Sequence, residues 1–241
     1  MATKSVRSKR QLEILGDARE ALPFEQGIAR VKEMAEVRAD RSYKNGKKRK
    51  AVDQTMELVV HLGIDPKQAD QMVRGSISLP KGTGQTQRVV AFCEGDLVEQ
   101  AKEAGAVETG SDELVKKISE GWTDFDVAVA HPQVMGKVGK LGRLLGPQGK
   151  MPSPKAGTVT PEVATAVREY TAGKMEYRND AGGNIHLKVG KVSFPNEDLQ
   201  ANIEAVLSHL NKVKPTSAKG TYLKAVNLSA QQTPSVELAV G

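Results

Sequence analysis

The chain has 241 residues, 39% of them hydrophobic and 27% charged, with a formal charge of +6 and a pI near 9.3. That length supplies one large domain or two smaller ones, and the balance favours polyanionic partners. Aromatics are only 4% and Cys93 is the single cysteine, which argues against recognition by stacked bases and excludes an internal disulfide or a cysteine zinc site.

Residues 10–37 carry two helical patterns that part near Pro23. TMELVVHL (55–62) reads as a strand, and MVRGSISLP (72–80) as another that stops at Pro80. From residue 82 the rhythm changes. QRVVAF and DFDVAVA read as buried strands, DLVEQAKEA and SDELVKKISEG as amphipathic helices, and VMGKVGKLGRLL as a short glycine-containing helix. Cys93 follows VVAF, where an inert core thiol is expected. Alternating strands and helices imply βαβ units on a mainly parallel sheet. Thr160 and Pro161 are placed to cap and open a helix over PEVATAVREY. KMEYRND and NIHLKVG, joined by a Gly-Gly turn at 182–183, read as a hairpin. A helix NEDLQANIEAVLSHLNKV and a final strand TYLKAVNLS complete an antiparallel α+β layer.

The middle therefore reads as an insertion with flexible borders at 81–84 and 172–174. Residues 1–81 hold 17 cations against 11 carboxylates and 173–241 hold 8 against 6, while 82–172 hold 10 against 12. The expected fold class is two-domain, α/β and α+β: a discontinuous α+β terminal domain (1–81 and 173–241) and an inserted Rossmann-like, three-layer α/β domain (82–172). The basic terminal domain is expected to face the polyanion. One stretch breaks the acidity of the insert. From Val127 to Pro161 there is no Asp or Glu, and Lys137, Lys140, Arg143, Lys150 and Lys155 stand there. Its centre, GRLLGPQGKMPSPKAGT (142–158), holds four glycines and three prolines.

A nucleotide enzyme fits poorly. A Walker loop needs a glycine where Leu144 stands and a hydroxyl where Met151 stands, and KGTGQTQ precedes a strand instead of following one. His61, His131, His186 and His209 are scattered, with no metal-ligand spacing. Asp124 and Asp126 could serve a phosphoesterase, but a turn-capping role is the simpler account. No catalytic residue, metal or cofactor is expected. Nor is a membrane: MATKSVRSKRQ lacks the apolar segment of a signal peptide, and no apolar run reaches about 18 residues. A cytoplasmic location is expected. The run RADRSYKNGKKRK (38–50) adds seven cations, among them Arg41, Lys44, Lys47, Lys48, Arg49 and Lys50. It reads either as a solvated loop or as an accessory, sequence-blind phosphate-binding segment.

VRGSISLPKGTG, FDVAVAHPQVMGKVGKLGRLLGPQGKMPSPKAGTV, YRNDAGGNIHLKVGK and KPTSAKGTYLKAV, in this order, resemble the "L-one" family of bacterial large-subunit ribosomal proteins of the lateral stalk. The resemblance implies hinges near Lys81–Gly82 and Ala172–Gly173. It further implies binding to 23S rRNA in the large ribosomal subunit, assistance to deacylated tRNA leaving the exit site, and repression of the protein's own operon through mRNA. It places rRNA contacts on Thr55, Glu57, Arg178, Asn179, Asp180, His186, Ser229, Gln231 and Gln232, and a tRNA-facing loop on Arg143, Lys150 and Lys155. Where the family has Thr-Met-Gly after the last strand, this chain has Gln231, Gln232 and Thr233. In the loop, a usual Gly-Pro-Arg-Gly-Leu is Gly146-Pro147-Gln148-Gly149-Lys150, so the cation stands two positions later. The alternative of another class is a free-standing RNA-binding translational repressor, which co-sedimentation with large subunits would separate from a ribosomal role.

Overall fold

Strand β1 (Thr55–Leu62) sets the plan of the first unit, because Met56, Leu58, Val60 and Leu62 alternate with outward residues and are all buried. In this computed structural model, which describes residues 6–16, 21–37, 53–68 and 70–239, the chain divides into two compact units. One takes 1–73, 79–83 and 178–241; the other takes 74–78 and 84–177. The segment Arg74–Ser78 thus groups with the inserted unit. The basic run 38–50 lies outside the described residues.

In the terminal unit, β1 is central in an antiparallel sheet with β7 (Asn184–Lys191), β8 (Leu223–Ala230) and β9 (Val236–Leu238), in the order β7-β1-β8-β9. One face buries Ile185, Val189, Val226 and Leu228 with the inward residues of β1. Over it lie α2 (Phe24–Glu36), through Ile28, Val31 and Met34, and α8 (Asn196–Lys212), through Leu199, Ile203, Val206 and Leu210. Helix α1 (Val6–Leu15) packs beside α2. The opposite face keeps Glu57, Val59, His61, His186, Lys188, Asn227 and Ser229 half-buried or exposed. Asn202, fully buried in α8, donates to the carbonyls of Val189 (2.8 Å) and Gly82 (3.0 Å) and accepts from the amide of Lys81 (3.1 Å). It fastens the segment Leu79–Thr83 to the unit.

The inserted unit is built on a parallel sheet of β3 (Val89–Phe92), β4 (Glu108–Gly110) and β5 (Val127–Ala130), in the order β4-β3-β5. Strand alternation divides its core into two layers. Val89, Ala91 and Val129 meet α3 (Leu97–Glu103) and α7 (Val163–Thr171), with Cys93 buried among them. Burial pushes that thiol up, which suits a core filler. Val90, Phe92, Ala128 and Ala130 meet α4 (Asp112–Ser119) and a chain of short turns: Pro132–Val134, α5 (Met135–Val138), Gly139–Leu141 and α6 (Gly142–Leu145). The expected helix over VMGKVGKLGRLL is thus broken into alternating 3-10 and α turns, which place Val138, Leu141 and Leu145 in that core. The unit also holds a two-stranded pair of β2 (Arg74–Ile77) and β6 (Met175–Arg178), clasped by Arg74 and Glu176 at 2.6 Å.

Three local expectations are corrected. KMEYRND and NIHLKVG are not a hairpin: β6 pairs with β2 and β7 with β1, leaving one bridge, Asn179 to Ile185, across the turn. The long alternating face of β1 is the better partner for β7. Thr160 does not cap α7, which starts at Val163; its hydroxyl accepts from the amide of Glu162 at 3.2 Å and so closes a local turn. Asp124 and Asp126 do not cap a turn either. Both grip Arg88, Asp126 taking its main-chain amide at 3.0 Å, and the bonds from Arg88 hold the Asp126 carboxyl below the usual range. They clamp the starts of β3 and β5, a structural use for both carboxylates.

Candidate nucleic-acid interface

The residues expected to face rRNA are strung along the outer sheet face rather than gathered in one place. Register sets Glu57 opposite both Lys188 and Ser229, Val59 opposite His186 and Asn227, and His61 opposite Asn184 and Ala225. Thr55, Glu57, Ser229 and the turn after β8 occupy one end. The Asp180 turn occupies the other, where the amide of Leu62 donates to the carbonyl of Gly183 at 2.9 Å. His186 links the two ends: Nδ1 stands 3.3 Å from Glu57 Oε1, and Nε2 stands 3.9 Å from Asp180 Oδ2.

The turn itself is rigid. Asp180 Oδ1 accepts from the amides of Gly182 (2.8 Å) and Asn184 (2.7 Å), and Gly183 takes a φ of 80° that favours glycine. The main-chain bond from Asn184, with help from its side chain, holds the Asp180 carboxyl below the usual range. Asn179 is nearly buried: its Oδ1 accepts from the amide of Val73 at 2.9 Å, so its side chain serves the fold. Arg178 is exposed.

At the other end, the family's Thr-Met-Gly is replaced by a glutamine network. The Gln231 amide donates to Thr55 O at 3.1 Å, and the Gln232 amide to Gln54 Oε1 at 3.2 Å. Gln11 Nε2 bridges the carbonyls of Gln232 (2.9 Å) and Met34 (3.0 Å), while Arg7 bonds the Gln232 side chain. Thr55 Oγ1 accepts from Lys191 Nζ at 3.0 Å. Sequence reading missed His61, whose Nδ1 lies 2.8 Å from Asn184 Oδ1 on this same face. The outward position in TMELVVHL was the available signal.

In the inserted unit, the glycine- and proline-rich loop is held from below. Leu145, Pro152, Ala156 and Thr158 are buried. Thr158 Oγ1 accepts from the Ser153 amide at 2.8 Å, and Gly149 and Gly157 take φ of 71° and 74°. Arg143 and Lys155 are exposed on it, and Lys140 is exposed in the turn just before it. Lys137 is neutralised by Glu94 (2.8 Å) and Asp112 (2.7 Å). Lys150 is half-buried: Nζ donates to the Thr123 carbonyl at 2.9 Å and stands 5.1 Å from the Phe125 ring centre. Among the described residues no helix is long and apolar enough to cross a membrane, and no three His, Cys, Asp or Glu are grouped to hold a metal.

The model of the ribosomal protein L1p/L10e family matches residues 42–234. The chain belongs to that family. Membership makes it an rRNA-binding protein of the large ribosomal subunit, of a structural and not an enzymatic family, with a ribosome-associated place in the cell.

Proposed function

We propose that the terminal unit anchors the protein to the lateral stalk of 23S rRNA and that the inserted unit assists release of deacylated tRNA from the exit site. In this reading the outer sheet face, from Thr55 through Glu57 and His186 to Arg178 and the Asp180 turn, holds the rRNA. Arg143 and Lys155, with Lys150 beside them, meet the tRNA backbone. The observation that carries it is the difference between the two surfaces. A sheet face with donors and acceptors in fixed register suits one particular RNA, whereas cations on an acid-free loop position phosphates without reading sequence. A contact of the second kind suits a protein that must let go of every tRNA. The sheet face would also take a messenger of similar shape, which makes the protein a repressor of its own operon.

Footprinting of the full chain on 23S rRNA and on its own messenger leader tests the anchoring and repression together. Exit-site tRNA dissociation from ribosomes carrying the Arg143→Ala, Lys155→Ala protein tests the rest. Protection of a compact stalk element, and of its counterpart in the leader, is the expected result; absence of leader protection removes the repressor role.

A further inference from the structure

A second stretch free of carboxylates runs from Ala205 to Val236 and contains Lys212, Lys214, Lys219 and Lys224. None of them has a role on the sheet face described above. Lys212 closes α8, and the loop that follows returns the chain to β8. That loop is fixed against the Leu62 end of β1. The Gly63 amide donates to Tyr222 O at 2.7 Å, and a Cβ on Gly63 would stand 2.1 Å from the carbonyl oxygen of Thr221, so only glycine lets the two segments meet. The Ala218 amide closes a turn on Pro215 O at 3.1 Å, and Lys214 Nζ stands 5.7 Å from the Tyr222 ring centre.

All four lysines are exposed. Among the described residues, the lysines paired with carboxylates are Lys81, Lys117, Lys137 and Lys174, so these four are not among them. Unneutralised cations on a stiff loop raise the local positive potential, and lysine offers phosphate a point charge that carries no sequence information. We propose that this α8–β8 loop is a second RNA-binding surface of the terminal unit, gripping phosphates beyond the Asp180 end of the sheet. The inference rests on the reading that this unit anchors rRNA. At about 3.3 Å per residue, β1 sets the loop roughly 23 Å from Thr55. RNA bound at both ends would be held along the whole strand.

Lysine acetylation of the full chain, free and bound to 23S rRNA, tests this without any substitution. The four lysines should be protected several-fold. The variant Lys212→Gln, Lys214→Gln, Lys219→Gln, Lys224→Gln should flatten the dependence of log affinity on log salt by about 0.7 to 0.9 for each phosphate it no longer neutralises. Its preference for 23S rRNA over a random RNA of equal length should stay. Equal acetylation with and without RNA overturns the proposal, as does an unchanged salt slope in a folded variant. Glu57→Ala and His186→Ala separate the two readings. If they abolish the preference while the lysines are unprotected, the sheet-face anchor stands alone; if neither set matters, the anchoring reading falls too.

Discussion

The hydroxyl of Tyr170 donates a 2.8 Å hydrogen bond to the main-chain carbonyl of Ala156, and both residues are wholly buried. The bond ties the glycine- and proline-rich loop to α7, one residue from the exposed Lys155. Tyr170→Phe would leave a buried carbonyl without a donor, which costs about 1–3 kcal/mol. Urea unfolding of the two proteins at neutral pH measures it.

The same tyrosine gives an alkaline signature. Burial pushes its hydroxyl up to about 12, from an ordinary value near 10. A raised value means that the stability contribution is complete below about pH 10 and is lost as pH climbs toward 12. The wild-type melting temperature should therefore fall faster above pH 10 than that of Tyr170→Phe. Parallel curves through that window would remove Tyr170 as the titrating group.

At the acid end the sign reverses. The Asp180 carboxyl is held low by amides in its turn, so its contribution is present at neutral pH and disappears as pH falls below about 4. Asp180→Ala should lower the melting temperature at pH 7, with the difference closing toward pH 3. A gap that does not narrow at all as pH falls below about 4 would mean that the carboxylate is not what holds the turn.

Much of this was legible from the sequence. TMELVVHL and NIHLKVG alternate at the period of a half-buried strand, and the βα rhythm of the middle announces a parallel sheet. Strand pairing was less legible, because the turn at Gly182–Gly183 is real but β6 finds a partner about a hundred residues earlier, as the Arg74–Glu176 pair shows. Long-range polar contacts were not legible at all. Lys150 reads as a free cation, and only the fold brings the Thr123 carbonyl to it.

Asn202 is the plainest instance. Within NEDLQANIEAVLSHLNKV it looks like a polar interruption of an apolar stripe, yet its side chain serves three main-chain groups, two of them 120 residues or more away. Asn202→Leu would orphan the buried Val189 carbonyl and release Lys81 and Gly82. A loss of at least about 2 kcal/mol is expected in denaturant unfolding. A change below about 0.5 kcal/mol would show that water replaces all three bonds.

The three cations Arg143, Lys150 and Lys155 of the glycine- and proline-rich loop should not behave alike. Arg143 and Lys155 are exposed, so replacing either with alanine removes an attraction to phosphate and little else. Because an exposed charge is screened, each loss should be modest, about 1 kcal/mol or roughly fivefold in tRNA dissociation from the exit site. The melting temperature and incorporation into the large subunit should not change. Lys150→Ala differs, since Nζ also holds the Thr123 carbonyl and covers the Phe125 ring. It should destabilise the protein measurably as well as weaken tRNA engagement. Gln148→Arg in that background returns a cation to the loop without restoring the bond to Thr123. It should therefore recover tRNA engagement while the lowered melting temperature remains. Recovery of both, or of neither, would mean that the charge and the tether at Lys150 are not separate functions.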